Sequence, residues 1–374
     1  MRKHRKKVVH ITTVHHPLDP RIYYKQCQSL AKAGYDITLI APESEDDIPN
    51  LGVEVISIKK SKNRLFRMLG TTFQAFKMAK KIKADYYHFH DPELLLVGFL
   101  LKRKSNVVIY DIHEDYETSI LQKTYIAKPL RTFIAKAYRF VEKVLTRKME
   151  ICLAEKYYAE KYPQGVCILN YPIINEKLVN REPIASEIED KVIYTGNVTK
   201  DRGALYHAKL PKIDPLLTVY IYGKCSEALA NEMFAVVSPN KDKLVIEGIE
   251  QYVPKDIIDE GYSSQCWLAG LALFPPTDHY MKKELTKFFE YMTAGIPIVC
   301  SDFPVWNEFI ETYSCGITVN PYNDKEIKEA LEFLRMNKDE AIQLGQNGKK
   351  AIIKKLNWTV QERHLLEWYE KMAN

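Results

Sequence analysis

The 374-residue chain predicts an α/β fold: two doubly wound, Rossmann-like domains facing each other across a cleft. Three observations carry that expectation. The length is too great for one ordinary core and comfortable for two α/β domains. Short β-rich runs alternate with helical patterns, the rhythm of βαβ units and a parallel sheet. That rhythm breaks once, at Tyr171–Asp190, where Pro172, Pro183 and scattered charges leave no sustained period, and then restarts.

The first half reads as strands at Val8–Thr13, Asp36–Ala41, Val53–Ile58, Tyr86–His90 and Val107–Ile112. Helices are expected between them at Ile22–Lys32, Arg64–Lys83 and Glu93–Lys102, followed by a long helix over Ile126–Thr146. Ile151–Ala154 and Val166–Asn170 close the sheet. The second half has strand candidates at Val192–Gly196, Leu217–Gly223, Leu244–Gly248, Trp267–Phe274, Ile298–Ser301 and Gly316–Asn320. Its helices include Leu285–Thr293, Val305–Thr312 and Asp324–Arg335. The expected organisation is an N-terminal domain over 1–172, a linker over 173–190, a second domain over 191–357 and a terminal helix in 358–374. That helix, Thr359–Met372, carries Val360, Leu365, Trp368 and Tyr369, too much apolar surface for a free tail. It is expected to cross back to the N-domain.

Hydrophobic residues are 46% and charged residues 27%, an ordinary globular composition rather than a disordered one. No apolar run reaches the roughly 18 residues of a membrane span. The basic start Met1–Lys7 runs directly into a strand pattern, so it does not read as a secretory signal. Seven cysteines, an odd number without metal or redox spacing, suit reduced thiols and a cytoplasmic protein. The net charge of +6 is concentrated in Arg2–Lys7 and Lys123–Lys148 and suits anionic partners. The segment 121–148 interleaves Lys and Arg with Tyr, Phe, Leu and Ile. Two readings stay open for it: an ordinary packed surface helix, or contact with the inner face of an anionic membrane. No nucleic-acid signature is present, so no nucleic-acid partner is expected.

The most informative stretch is Leu285–Asp302, a helix that ends at Gly295 and feeds a strand through Pro297. Lys287 and Glu290 share one helical face near its N-terminus. Free N–H groups and a lysine there suit a diphosphate, and a carboxylate one turn further in suits two sugar hydroxyls. The bland alternative is a surface ion pair. A second constellation lies in the first half. His88 and His90 alternate on one strand, and His113 and Asp115 sit at the end of the next. With Asp91 they leave a metal cluster as the lesser reading, and no metal or cofactor is expected.

The run KFFEYMTAGIPIVCSDFP resembles the C-terminal-domain signature of the family 4 retaining glycosyltransferases, which have the GT-B fold. Further resemblances follow in order over nearly the whole chain: Tyr194-Thr195-Gly196-Asn197 with Asp201-Arg202-Gly203, Tyr222-Gly223-Lys224, and Cys315 to Pro321. The resemblance implies that Glu290 binds the donor ribose. Gly196, Arg202, Gly223 and Lys287 would complete the donor site. It also puts acceptor-side groups at His88–Glu93 and Tyr110–Asp115, with His113 as the catalytic contact. Three departures stand out. Lys282 occupies the position of a common sugar-binding glutamate, and Asn197 that of a common arginine. The usual glycine-rich first loop is His15-His16-Pro17-Leu18-Asp19-Pro20-Arg21, in which Arg21 reads either as a phosphate contact or as part of a turn capped by Asp19.

The activity so implied is metal-independent, retaining transfer of a hexose-type sugar from a nucleotide-diphosphate donor, with UDP the expected base. The acceptor is a glycan or lipid-linked molecule of cell-envelope polysaccharide or glycolipid synthesis. Arg and Lys with helix N–H groups would stabilise the departing diphosphate. Two alternatives remain: a nucleotide-sugar epimerase of the same architecture, which would convert donor alone, and a non-catalytic partner, which would bind nucleotide without turnover.

Overall fold

The structure is a computed structural model that describes residues 5–59, 70–121, 126–182, 185–278 and 280–372. It divides into two compact units: Met1–Asn170 with Trp358–Asn374, and Tyr171–Asn357.

In the first unit, strands β1 (Lys7–Ile11), β2 (Asp36–Pro42), β3 (Val53–Ile58), β4 (Tyr86–Phe89), β5 (Val107–Ile112), β6 (Glu150–Leu153) and β7 (Val166–Cys167) form one sheet. Its order is β3-β2-β1-β4-β5-β6-β7, and every pair is parallel. A π-helical segment, Pro20–Cys27, runs into α1 (Gln28–Lys32). Then come α2 (Thr72–Ile82), α3 (Leu95–Leu101), α4 (Tyr116–Leu121) and α5 (Lys128–Leu145). The part of the expected Arg64–Lys83 helix at 64–69 lies outside the described residues. The period of two along each strand divides the apolar side chains between two cores. Val9, Ile11, Tyr87, Phe89, Val108 and Tyr110 pack under α2 and α3. Val8, Ile37, Leu39, Tyr86 and Ile109 pack under Pro20–Lys32 and the terminal helix Trp358–Lys371.

That helix buries Trp358, Leu365, Trp368 and Tyr369 in the second of these cores. The Trp358 indole N–H donates to Ser29 Oγ (3.0 Å), and Tyr86 Oη donates to the Tyr369 carbonyl (3.3 Å).

The second unit has strands β8 (Ile188–Thr195), β9 (Thr218–Cys225), β10 (Leu244–Ile249), β11 (Cys266–Ala272), β12 (Ile298–Ser301) and β13 (Gly316–Val319), in the parallel order β10-β9-β8-β11-β12-β13. Its helices are α6 (Glu176–Val179), α7 (Ala204–Ala208), α8 (Leu210–Ile213), α9 (Glu227–Val237), α10 (Lys255–Ser264), α11 (Thr286–Ala294), α12 (Pro304–Tyr313), α13 (Asp324–Met336) and α14 (Lys338–Lys354).

The described residues of the segment expected as a linker over 173–190 are held by the second unit. Its end belongs to β8, and its earlier residues pack on the second unit. The Arg181 guanidinium donates to the carbonyls of Tyr262 (3.1 Å) and Gln265 (2.8 Å), and Asn175 Nδ2 donates to Asp259 (3.1 Å). Lys349 in turn donates to the Arg181 carbonyl. Side chain-to-backbone bonds of this kind leave no period in a sequence, and so the segment reads as irregular.

In both sheets the strand order reverses beside the first strand, between β1 and β4 and between β8 and β11. Such reversals open a crevice beyond the carboxyl ends of the strands, the usual ligand position in open α/β sheets.

Candidate active-site groups in the two units

Beyond the ends of β8 and β11 the backbone is held close by glycines. A Cβ on Gly223 would lie 1.8 Å from the Gly196 carbonyl oxygen, so β9, which contains Gly223, can pass the turn after β8 only without a side chain there. Gly203 has φ +79° and ends the turn Lys200–Arg202, where a Cβ would collide with the Leu273 carbonyl. This turn presents Arg202, whose Nε donates to Tyr280 Oη at 2.9 Å; Tyr280 Oη donates to Asp201 at 3.2 Å.

Lys287 enters from the first turn of α11 and is buried. Its ammonium lies 3.8 Å from the ring centre of Tyr194 and 4.8 Å from that of Phe274. No hydrogen-bond acceptor or carboxylate partners it among the described residues. Burial holds its pKa well below the ordinary lysine value. The Arg202 charge adds to that, and Glu290 opposes it. The N-terminus of α11 has no side-chain cap. A buried cation, a neighbouring arginine and uncapped N–H groups leave positive potential that an anion would satisfy.

Glu290 sits one turn further along α11 and keeps 24% of its side chain exposed. Its Oε2 accepts from Tyr262 Oη (2.8 Å), which is also bonded to Thr195 Oγ1 (2.7 Å), and Lys255 Nζ is 3.9 Å from Oε1. Burial raises its pKa, against the pull of Lys255, Tyr262 and Lys287. Lys287 and Glu290 are therefore not the simple i, i+3 ion pair that their spacing also allowed. Lys282 is exposed, while Glu284 accepts from Tyr171 Oη at 3.4 Å. Asn197 is exposed and helps line an open depression of about 450 Å³ with Thr199, Lys200, Lys224 and Ser226.

In the first unit the groups collect around Asp111, fully buried on β5. Arg21 grips it through Nε (3.0 Å to Oδ2) and Nη2 (2.8 Å to Oδ1), and Gln26 Nε2 donates to Oδ2 at 2.8 Å. His113 Nε2 lies 3.0 Å and His90 Nδ1 3.3 Å from the same oxygen. The imidazoles continue inward: His113 Nε2 to His90 Nδ1 is 3.1 Å, and His90 Nε2 to His10 Nδ1 is 3.0 Å. His10 and His88 face each other in register on β1 and β4, and His88 Nδ1 meets Tyr369 Oη at 2.8 Å. Burial depresses the pKa of all three inner histidines, with His90 brought to about 4. The tautomer in which His113 donates from Nε2 to Asp111 leaves Nδ1 as its acceptor, and only 13% of that side chain is exposed.

At the β1–β4 reversal, Asp91 accepts from Thr12 Oγ1 (2.8 Å) and from the Thr13 N–H (2.6 Å). His15 lies between Asp91 (3.4 Å) and Asp19 (3.5 Å). Burial alone would lower the His15 pKa, but the bond to Asp19 and the charges of Asp91 and Asp111 outweigh it and raise the value.

Two of the readings left open by the sequence are decided by the packing. Arg21 is not available as a phosphate contact. It is 3% exposed, its guanidinium is committed to Asp111, and Nη1 donates to the Ile168 carbonyl at 2.7 Å. Asp19 caps the segment, accepting from the N–H groups of Arg21 and Ile22. The suspected metal constellation also has other members. Asp115 is drawn off by Lys161 (2.7 Å) and Thr118 (2.6 Å), and the potential ligand atoms that do converge belong to His88, His90 and Asp111. Asp111 is already filled by Arg21 and Gln26, and a guanidinium at bidentate range would repel a divalent ion. These residues satisfy one another rather than fit a metal.

His10 and Tyr262 are the groups that sequence reasoning missed, and Asp111, inside the stretch Tyr110–Asp115, was given no role of its own. Strand alternation links His10, His88 and His90 to one sheet face, but only the register sets Asp111 beside them.

Comparisons with known proteins follow the same division. Residues 16–147 match the "Glycosyl transferase 4-like" family model, and residues 286–351 match "Glycosyl transferases group 1". No curated protein sequence matches the chain. Among solved structures, a sucrose-phosphate synthase from Thermosynechococcus elongatus is similar at 16% identity, with 99% of each chain covered and a TM-score of 0.74. The Anabaena protein HepE, in complex with UDP, is similar at 11% identity, with 98% of this chain and 100% of that one covered and a TM-score of 0.71. WaaG, a glycosyltransferase involved in lipopolysaccharide biosynthesis, is similar at 14% identity, with 96% and 98% covered and a TM-score of 0.67. With two glycosyltransferase models matched in order along two doubly wound units, the chain belongs to the family 4-type glycosyltransferases of GT-B fold.

Proposed function

We propose that this glycosyltransferase moves a hexose-type sugar, with retention of anomeric configuration and without a metal, from a UDP-sugar to a glycan or lipid-linked acceptor of the cell envelope. One observation carries the reading: the Lys287 ammonium is buried over Tyr194 and Phe274 with no acceptor among the described residues, at the uncapped start of α11 and next to Arg202. A diphosphate is the ligand that such a group lacks. As the anomeric C–O bond breaks, negative charge grows on the departing diphosphate, and fixed cations and helix N–H groups stabilise it. Glu290, held by Tyr262, accepts from the ribose hydroxyls. His113, oriented by Asp111, is assigned to the acceptor side, with Nδ1 free to receive a hydroxyl proton. UDP is chosen because HepE is seen with UDP and with UDP-glucose.

The test is a thermal-shift panel of nucleotide sugars, followed by product analysis. A UDP-sugar should raise the melting temperature, and Glu290→Gln should weaken that donor by roughly tenfold or more, since bonds to a charged acceptor contribute about 1.5–3 kcal/mol each. NMR of the product should show the donor's anomeric configuration, with turnover that persists in chelator. Equal donor affinity in Glu290→Gln, an inverted product or strict manganese dependence would each overturn its part of the proposal.

A further inference from the structure

Helix α5 turns Ala135, Tyr138, Leu145 and the carboxylate of Glu142 inward and leaves a larger apolar stripe outward. The side facing its unit carries Ala135 and Glu142, both buried, and Glu142 accepts from Tyr138 Oη (2.8 Å), Tyr162 Oη (2.6 Å) and Arg139 (3.2 Å). Leu130, Phe133, Phe140 and Val144 fall on one stripe at helical spacing, and that stripe points to solvent, with Phe133 and Phe140 each 69% exposed. A helix buries such a stripe when it has a surface to bury it against. The neighbouring α3, which covers the same face of the sheet, repeats the pattern with Phe99 and Leu100 outward. Two adjacent helices thus both turn large apolar side chains to solvent, more than singly scattered exposed residues would give.

The exposed charge on these two helices has one sign. Helix α5 holds five basic residues and one acidic residue, and that acid is the buried Glu142. Exposed Arg147 and Lys148 follow α5, and exposed Arg103 and Lys104 follow α3. A second copy of this surface would bring like charges together, which is unfavourable. No helix among the described residues is long and apolar enough to cross a membrane. An apolar stripe bordered by cations is instead the pattern of a helix lying in the plane of an anionic bilayer.

We propose that the outer surface of α3 and α5 is a docking face for an anionic membrane, into which Phe133 and Phe140 insert. This rests on the proposed lipid-side acceptor and makes the bilayer itself a partner, but it is tested without turnover. The full chain is sedimented with vesicles of phosphatidylcholine alone and with vesicles containing one-third phosphatidylglycerol. Binding is expected to the anionic vesicles and to fall with salt. Phe133→Ser with Phe140→Ser should lower the partition coefficient by roughly tenfold or more. Lys136→Gln with Lys143→Gln should lower it roughly fivefold per charge. Both double variants alter exposed residues, so their melting temperatures and UDP-induced shifts should stay at wild-type values. Absence of binding to anionic vesicles, or equal binding by the phenylalanine variant, overturns the proposal. So does a concentration-dependent dimer that this variant disperses. A missing UDP shift in wild type would strike the proposed UDP donor alone.

Discussion

Replacing Arg21 by methionine separates a structural role from a phosphate-binding one. The change keeps most of the apolar stem and removes both bonds to Asp111 and the bond to the Ile168 carbonyl. Asp111 remains fully buried, with Gln26, His90 and His113 as its remaining partners. Breaking a buried ion pair from one side costs about 3–5 kcal/mol, because the other charge stays desolvated. For a domain of this size each kcal/mol moves the melting temperature by roughly 2–4 °C, so the transition of the first unit should fall by roughly 6–20 °C. Calorimetry measures this, with UDP present in a second series to report on the other unit. Adding Asp111→Leu to Arg21→Met should recover part of the loss, since the pair is then replaced by apolar contacts. A variant that melts within about 2 °C of wild type, the small shift of a surface change, and binds donor weakly would refute the assignment and restore Arg21 as a ligand contact.

Lys287→Met should leave the melting temperature of the second unit unchanged or raised, because a desolvated ammonium gives way to an apolar chain. UDP affinity should fall at least roughly tenfold, and calorimetric titration measures both sides of that exchange. Acid should weaken the first unit: His10, His88 and His90 are depressed when folded, so the unfolded chain binds more protons between the ordinary 6.5 and the folded value, about 4 for His90. Stability therefore rises with pH across that window, with His15, raised when folded, opposing it in part; denaturant midpoints at pH 5 and 7.5 check the sign. Trp368→Ala, in the terminal helix, should cost about 3–5 kcal/mol of first-unit stability as a large buried side chain is lost, and a chain cut after Asn357 should fail to give a native first unit in a thermal melt.

Much of the fold was legible because parallel strands buried on both faces must be apolar runs, and helices between them must carry a 3.6-residue period. Strand assignments such as Val53–Ile58, Val107–Ile112 and Ile298–Ser301 agree with the structure residue for residue. The local order within Tyr171–Asp190 could not be read, because Arg181 and Asn175 bond to distant groups, which leaves no local pattern. The groups proposed for the donor side were visible for a local reason: Lys287 and Glu290 lie on one helix, and Arg202 lies in a short loop closed by Gly203.

What the sequence determined by itself is local: the two doubly wound halves and the helix of Lys287 and Glu290. What only the tertiary structure decided is which of these groups remain free to act. Strand register placed Asp111 beside the histidines, and Arg21, ninety positions earlier in the chain, was consumed there as its counter-ion. Packing left Lys287 on aromatic rings with no acceptor among the described residues, and turned the apolar stripe of α5 outward. Composition shows how many charged and apolar side chains a chain has. Whether each is paired, buried or left exposed depends on neighbours far away in sequence, and burial then sets the free energy of every charge it encloses.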